Sequence, residues 1–106
     1  MTTVRLPISQ DSAAFSFETE LDGTSFGFAF RWNDRDASWY MTVSDGEGSP
    51  IVSGIKVVVN LPLLNFFSDP RLPGGVLMAI DTAGADQDAG YADLGRRVVL
   101  SYLSLK

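Results

Sequence analysis

The chain has 106 residues, 45% of them hydrophobic, and a formal net charge of −5 from 13 Asp and Glu against 8 Lys and Arg. It contains neither cysteine nor histidine, which excludes disulfides, thiolate and imidazole metal sites, Ser-His-Asp and Cys-His nucleophilic centres, and a histidine base near neutral pH. The acidic balance and the scattered basic residues count against specific binding of nucleic acid or of an anionic membrane surface.

The length suits one β-domain over residues 1–106, and the apolar content is enough for a core without disulfide or metal support. The opening Met1-Thr2-Thr3-Val4-Arg5-Leu6-Pro7 lacks the apolar stretch of a signal peptide, and no run approaches the roughly 18 to 20 apolar residues that span a bilayer. A cytosolic protein without a membrane partner is the expectation.

In chain order, Val4, Leu6 and Ile8 alternate with polar neighbours as a short strand that Pro7 confines to an edge or a bulge. Phe15, Phe17, Thr19 and Leu21 form the buried side of a second strand, with Ser16, Glu18 and Glu20 on a solvated side. Thr24, Phe26, Phe28, Phe30 and Trp32 repeat the period of two in a third. Between these strands, Asp22-Gly23 signals a two-residue type I′ turn. Such a turn sets Leu21 opposite Thr24, Thr19 opposite Phe26, Phe17 opposite Phe28 and Phe15 opposite Phe30, so that the apolar faces coincide. Trp39, Met41 and Val43 continue the pattern in a fourth strand. Closing the loop 33–38 places Trp32 opposite Trp39, Phe30 opposite Met41 and Phe28 opposite Val43. A slip of one residue would turn the whole phenylalanine row to water, so parity and turn chemistry together predict a three-stranded meander with the aromatics in the core.

The loop 45–50 carries Gly46 and Gly48 for conformations closed to other residues. Residues 51–60 read as a fifth strand, with Gly54 as a bulge. Residues 60–67 change period, and Pro62 suits the first position of a short helical turn ending near Phe67; a one-to-two-turn helix or a coil that plugs one end of the sheet is expected, with a docking surface as the alternative for its four large apolar residues. Residues 76–80 form a continuous apolar strand. Residues 96–105 form the last strand, with Val98, Leu100 and Tyr102 opposing Val99, Leu103 and Leu105. The fold expected is all-β: an antiparallel meander closing into a small barrel or sandwich of about seven strands. Its late strands are apolar on both faces, more than a monomer of this size can cover. The surplus points to an interface, with Leu63, Leu64, Phe66, Phe67, Val99, Leu103 and Leu105 as candidates and self-association as the consequence.

No catalytic, cofactor or metal site emerges. Asp81, Asp86, Asp88 and Asp93 match no calcium-loop spacing and read as solvated loop carboxylates. Asp34 and Asp36 sit at a hairpin tip, a poor place for the raised pKa that a carboxylate acid needs. Trp32, Trp39 and Tyr40 offer a sugar-stacking platform only if parity does not bury them, which leaves a small carbohydrate- or peptide-binding module as the alternative function. The glycines form no phosphate-binding motif.

The order and spacing of several pieces resemble the phage baseplate plug family. These are Phe30, Trp32, Asn33, Arg35, Asp36, Trp39 and Tyr40 in the aromatic hairpin, then Pro50, Val52, Gly54, Ile55 and Lys56, then Pro62-Leu63-Leu64. The turn from Asp69 to Gly74 and the ending from Asp93 to Tyr102 complete the set. The loop 82–91 contributes nothing to it. The resemblance implies a structural virion protein of the tail baseplate, assembled in the host cytoplasm. It would lie near the tail axis with hub, tube and spike proteins as partners, without cofactor or catalytic residues. The apolar surplus suits such assembly, and the acidic charge suits a surface near a DNA-conducting lumen.

Overall fold

The computed structural model describes residues 3–6, 8, 12–64 and 71–104. Among them are seven strands in two antiparallel sheets and no helix: β1 (Thr3–Arg5), β2 (Ala14–Leu21), β3 (Thr24–Asn33), β4 (Ser38–Asp45), β5 (Pro50–Lys56), β6 (Val76–Asp81) and β7 (Val98–Leu103). One sheet runs β2-β3-β4-β5 and the other β1-β7-β6. Both contribute to one core, in which Phe28, Phe30, Trp39 and Met41 from the first meet Leu77, Val98, Leu100 and Tyr102 from the second. Of the two closures expected, the sandwich is adopted and no barrel closes.

The meander has the register that parity requires. Leu21 faces Thr24, Phe17 faces Phe28 and Phe15 faces Phe30 across β2 and β3. Phe28 faces Val43, Phe30 faces Met41 and Trp32 faces Trp39 across β3 and β4. Asp22 and Gly23 both take positive φ, 54° and 80°, as the mirror-image turn demands. Along β2 the side chains of Phe15, Phe17 and Thr19 are half-buried and Leu21 buried, while Ser16, Glu18 and Glu20 are exposed.

Gly54 stands at φ 75° where the pairing of β4 with β5 shifts between Met41 and Val43, so the expected bulge is present. The strand around it is shorter than expected. It ends at Lys56, and the chain then turns through Asn60 at φ 65° toward the other sheet. There Val59 bridges Ala79 and Pro62 bridges Met78. The amides of Asn60 and Leu63 donate to the carbonyls of Ala79 (2.9 Å) and Leu77 (2.8 Å). The edge of β6 thus takes the backbone groups that a helical turn at Pro62 would have used, and the described part of that segment is not helical. Leu63 and Leu64 are buried in the core, while Asn65, Phe66 and Phe67 lie outside the described residues.

Two hydrogen-bonded networks tie the sheets to each other and to the loops. The Tyr102 hydroxyl, inside the sandwich, donates to Asp22 Oδ2 (2.6 Å) in the β2–β3 turn and accepts from the Gly75 amide (2.6 Å) before β6. Ser104 Oγ donates to the other oxygen of Asp22 (2.5 Å). The second network centres on Arg97, which the expected strand 96–105 placed within regular structure; β7 begins instead at Val98.

Candidate interaction site

The hairpin tip between β3 and β4 is a set of local bonds. Asn33 Oδ1 accepts from the amides of Arg35 (3.0 Å) and Asp36 (3.3 Å), the side-chain turn expected of Asn at that place. The Trp32 indole N–H donates to Asp34 Oδ1 (2.6 Å), and the Tyr40 hydroxyl donates to Asp36, which also pairs with Lys56 at 3.4 Å. The Tyr40 bond, with Lys56 behind it, holds the Asp36 carboxyl below its ordinary value, and the same bond raises the Tyr40 hydroxyl. A carboxylate held ionised at an exposed tip is the opposite of a general acid.

The aromatic row is mostly interior. Trp39 is fully buried and its indole N–H donates to the Gly90 carbonyl at 3.1 Å. Phe15 and Trp32 meet it edge-on, at centroid distances of 5.5 and 5.6 Å. Tyr91 lies across both tryptophans, 5.6 Å from Trp32 and 6.1 Å from Trp39. Trp39 is buried and Trp32 and Tyr40 half-buried, so the three do not form an open stacking platform; among the described residues the exposed ring is Tyr91, 46% exposed, from the loop that sequence reasoning left without a role.

That loop is organised by Arg97. Its guanidinium pairs with Asp81 Oδ2 at 2.6 Å and Asp93 Oδ2 at 3.1 Å, and donates to the carbonyls of Gln87 (3.1 Å) and Asp88 (2.9 Å). Asp81 is buried and also accepts from the amides of Ala83 (2.9 Å) and Gln87 (3.1 Å). Asp86 accepts from the Asn60 side chain (2.9 Å) and Asp88 from the Val59 amide (2.8 Å). Asp86 and Asp88 are exposed loop carboxylates, as expected, while Asp81 is buried and Asp93 partly so; all four also bind the chain, because a loop of this polarity packs only if its backbone groups find partners. Among the described residues, no group of acidic side chains is arranged to hold a metal ion. The signal available in the sequence was Asp93 four residues before Arg97, a spacing that brings opposite charges together in a turn.

Burial opposes the charge of Asp81, but the Gln87 and Ala83 amides and the Arg97 guanidinium outweigh it and hold the carboxyl below its ordinary 3.8. For Asp93 the Gly90 amide is the main cause of a shift in the same direction, with Arg97 second. A carboxyl depressed in the fold stabilises it above the ordinary value, and that stability is lost as pH falls below 3.8 through the lower folded values. Arg97→Met is therefore expected to melt well below the parent at neutral pH, with the gap narrowing as pH falls below 3.8 and the parent loses the pairing that the variant lacks. Thermal melts across this range check it; a gap of constant size would show that Arg97 acts by packing alone.

Of the interface candidates, Leu63, Leu64 and Val99 are buried and Leu103 is half-buried, while Phe66, Phe67 and Leu105 lie outside the described residues. Strand parity places the side chains of Val76, Met78 and Ile80 on β6, and of Val99 and Leu103 on β7, on the outer face of the smaller sheet, since Leu77, Ala79, Leu100 and Tyr102 point inward. Ile80 is 40% exposed there, and Leu61, beside the bridge from Pro62 to Met78, is 48% exposed.

A small β-sandwich with its carboxylates bound into turns and ion pairs, and with apolar side chains on an outer sheet face, has the make-up of a structural, assembling protein. Residues 3–105 match the family model described as cyanophage baseplate Pam3 plug gp18. The chain belongs to this phage baseplate plug family, and so is a structural component of the virion tail baseplate, associated with other baseplate components. A search of curated proteins finds no match. Among the described residues, no helix is long and apolar enough to cross a membrane.

Proposed function

We propose that the chain is a non-catalytic plug subunit that packs with the hub and tube near the tail axis, and with copies of itself, acting as a single β-domain over residues 1–106. The observation that carries this reading is the outer face of the β1-β7-β6 sheet. An outer sheet face open to solvent is ordinarily polar, yet here Val76, Met78, Ile80, Val99 and Leu103 outnumber Thr3, Arg5 and Ser101, which share the face by register. The interface candidates divide accordingly. Val99 and Leu103 belong to the contact face, Leu63 and Leu64 support it from within, and Phe66, Phe67 and Leu105 are kept as proposed contact residues. Asp81 and Asp93, which share one guanidinium, are committed to Arg97, which supports a role without catalysis.

The test is the double variant Ile80→Glu with Leu103→Glu, expressed with the tail genes. The isolated variant is expected to keep the parent's fold, since both side chains are partly exposed. Its incorporation into sedimented tails should fall at least about tenfold, the equivalent of about 1.4 kcal/mol of lost contact. Normal incorporation of a folded variant would remove this face from the interface.

A further inference from the structure

The two sheets end in four outer strands, and three of these edges are closed to pairing. β1 has three residues, too short to template another strand. The edge of β6 is occupied by the chain around Val59 and Pro62. β5 carries Pro50 and two register shifts, which bend its edge away from a regular ladder. β2 differs: it has eight residues in unbroken register with β3, and among the described residues no strand lies on its other side.

The direction of its backbone groups follows from the hairpin. A two-residue turn makes Leu21 and Thr24 a mutually hydrogen-bonded pair, so every second residue back from Leu21 points its N–H and C=O toward β3. The bond from the Trp32 amide to the Ala13 carbonyl, 2.8 Å, keeps that parity to the start of the strand. Ser16, Glu18 and Glu20 then direct their backbone donors and acceptors outward. On the inner side of this edge, Phe15 and Phe17 are only half-buried although their cross-strand partners Phe30 and Phe28 are fully buried. The edge thus combines outward-directed amides with two half-buried aromatic side chains.

Charge decides the occupant. Glu18 and Glu20 are exposed, and antiparallel pairing of β2 with the β2 of a second copy would set these acids opposite or diagonal to one another, which is unfavourable. We propose that the edge of β2 accepts an extended strand from a different baseplate chain. That strand carries Lys, Arg or hydroxyl side chains opposite Glu18 and Glu20, and apolar side chains on the alternate positions that cover Phe15 and Phe17. The proposal rests on the reading that this chain docks onto other baseplate proteins, and adds the mode of docking and the chemistry of the partner segment.

Hydrogen exchange compared between the isolated chain and assembled tails tests it. The amides of Ser16, Glu18 and Glu20 are expected to exchange at least about tenfold more slowly in the particle. Glu18→Pro removes an outward donor without touching the ladder to β3, so the isolated variant should fold while its incorporation into tails falls about tenfold. Should proline disturb the strand, Glu18→Lys with Glu20→Lys gives the same reading through charge alone. Equal exchange in both states, or normal incorporation of either folded variant, overturns the proposal. So does protection of these amides in the isolated chain that rises with concentration, which would make the occupant a second copy. If Ile80→Glu with Leu103→Glu blocks incorporation while the β2 amides stay unprotected, the docking reading stands and the strand-pairing proposal falls; if neither surface affects incorporation, both fall.

Discussion

Trp39→Ala is expected to lower the unfolding free energy by about 3 to 5 kcal/mol, a large part of the roughly 5 to 15 kcal/mol that holds a domain of this kind together. Trp39 is fully buried and lies where the meander and the loop 82–97 meet. Its ring packs against Phe15, Trp32 and Tyr91, and its indole N–H reaches the carbonyl of Gly90. Alanine removes a side chain too large for the surroundings to refill, since a β-sheet on one side and a hydrogen-bonded loop on the other collapse only partly. Trp39→Phe separates the causes. It keeps most of the ring packing and leaves the Gly90 carbonyl without its donor, at an expected cost of about 1 to 3 kcal/mol. Urea unfolding followed through Trp32, the other tryptophan, measures both. Loss of the same energy in the two variants would place the whole effect in the hydrogen bond, and Trp39→Ala within about 1 kcal/mol of the parent would mean that the site relaxes around the missing ring.

Gly75→Ala is expected to cost at least about 1 to 3 kcal/mol by overpacking. A Cβ at this position would lie 2.2 Å from the Leu103 carbonyl oxygen and 2.6 Å from the ring carbon that bears the Tyr102 hydroxyl. The first of these is backbone in a neighbouring strand, so the chain around Gly75 must move, and its bond to Tyr102 with it. Tyr102 supplies a second readout. Burial first, and the bond it donates to Asp22 second, push its hydroxyl up to about 12 from the ordinary 10. A raised value means that the neutral hydroxyl stabilises the fold fully below pH 10, and that this contribution is lost as pH rises toward 12. In Gly75→Ala, alkaline spectrophotometric titration should show Tyr102 ionising at higher pH than in the parent, since the amide it loses favours the ionised form, together with a lower urea midpoint. A variant whose midpoint falls while Tyr102 ionises closer to 10 would place the damage in the burial of the ring or in its bond to Asp22 instead.

The register of the first sheet was legible because its determinants are local. Asp22-Gly23 sets a turn, parity sets which side chains share a face, and the two agree over Phe15, Phe17, Phe28 and Phe30. The same holds across the Asn33 turn to Trp39, and for the bulge at Gly54. The surplus of apolar residues on the late strands was also present in the pattern, since it needs only a count of faces.

Pairings between distant segments were not legible. Nothing near Arg97 in sequence says that it will meet Asp81 at the end of another strand, or that Tyr102 will bond Asp22, 80 residues away. Pro62 shows the limit most plainly: its local preference is for the start of a helix, and a bridge to Met78 overrides it. The sequence by itself determined the all-β class, the meander and its register, through period and turn chemistry that act within a few residues. Only the tertiary structure decided how seven strands divide into two sheets, which edge of those sheets stays open, and which acids Arg97 holds, because each depends on where remote parts of the chain come to lie.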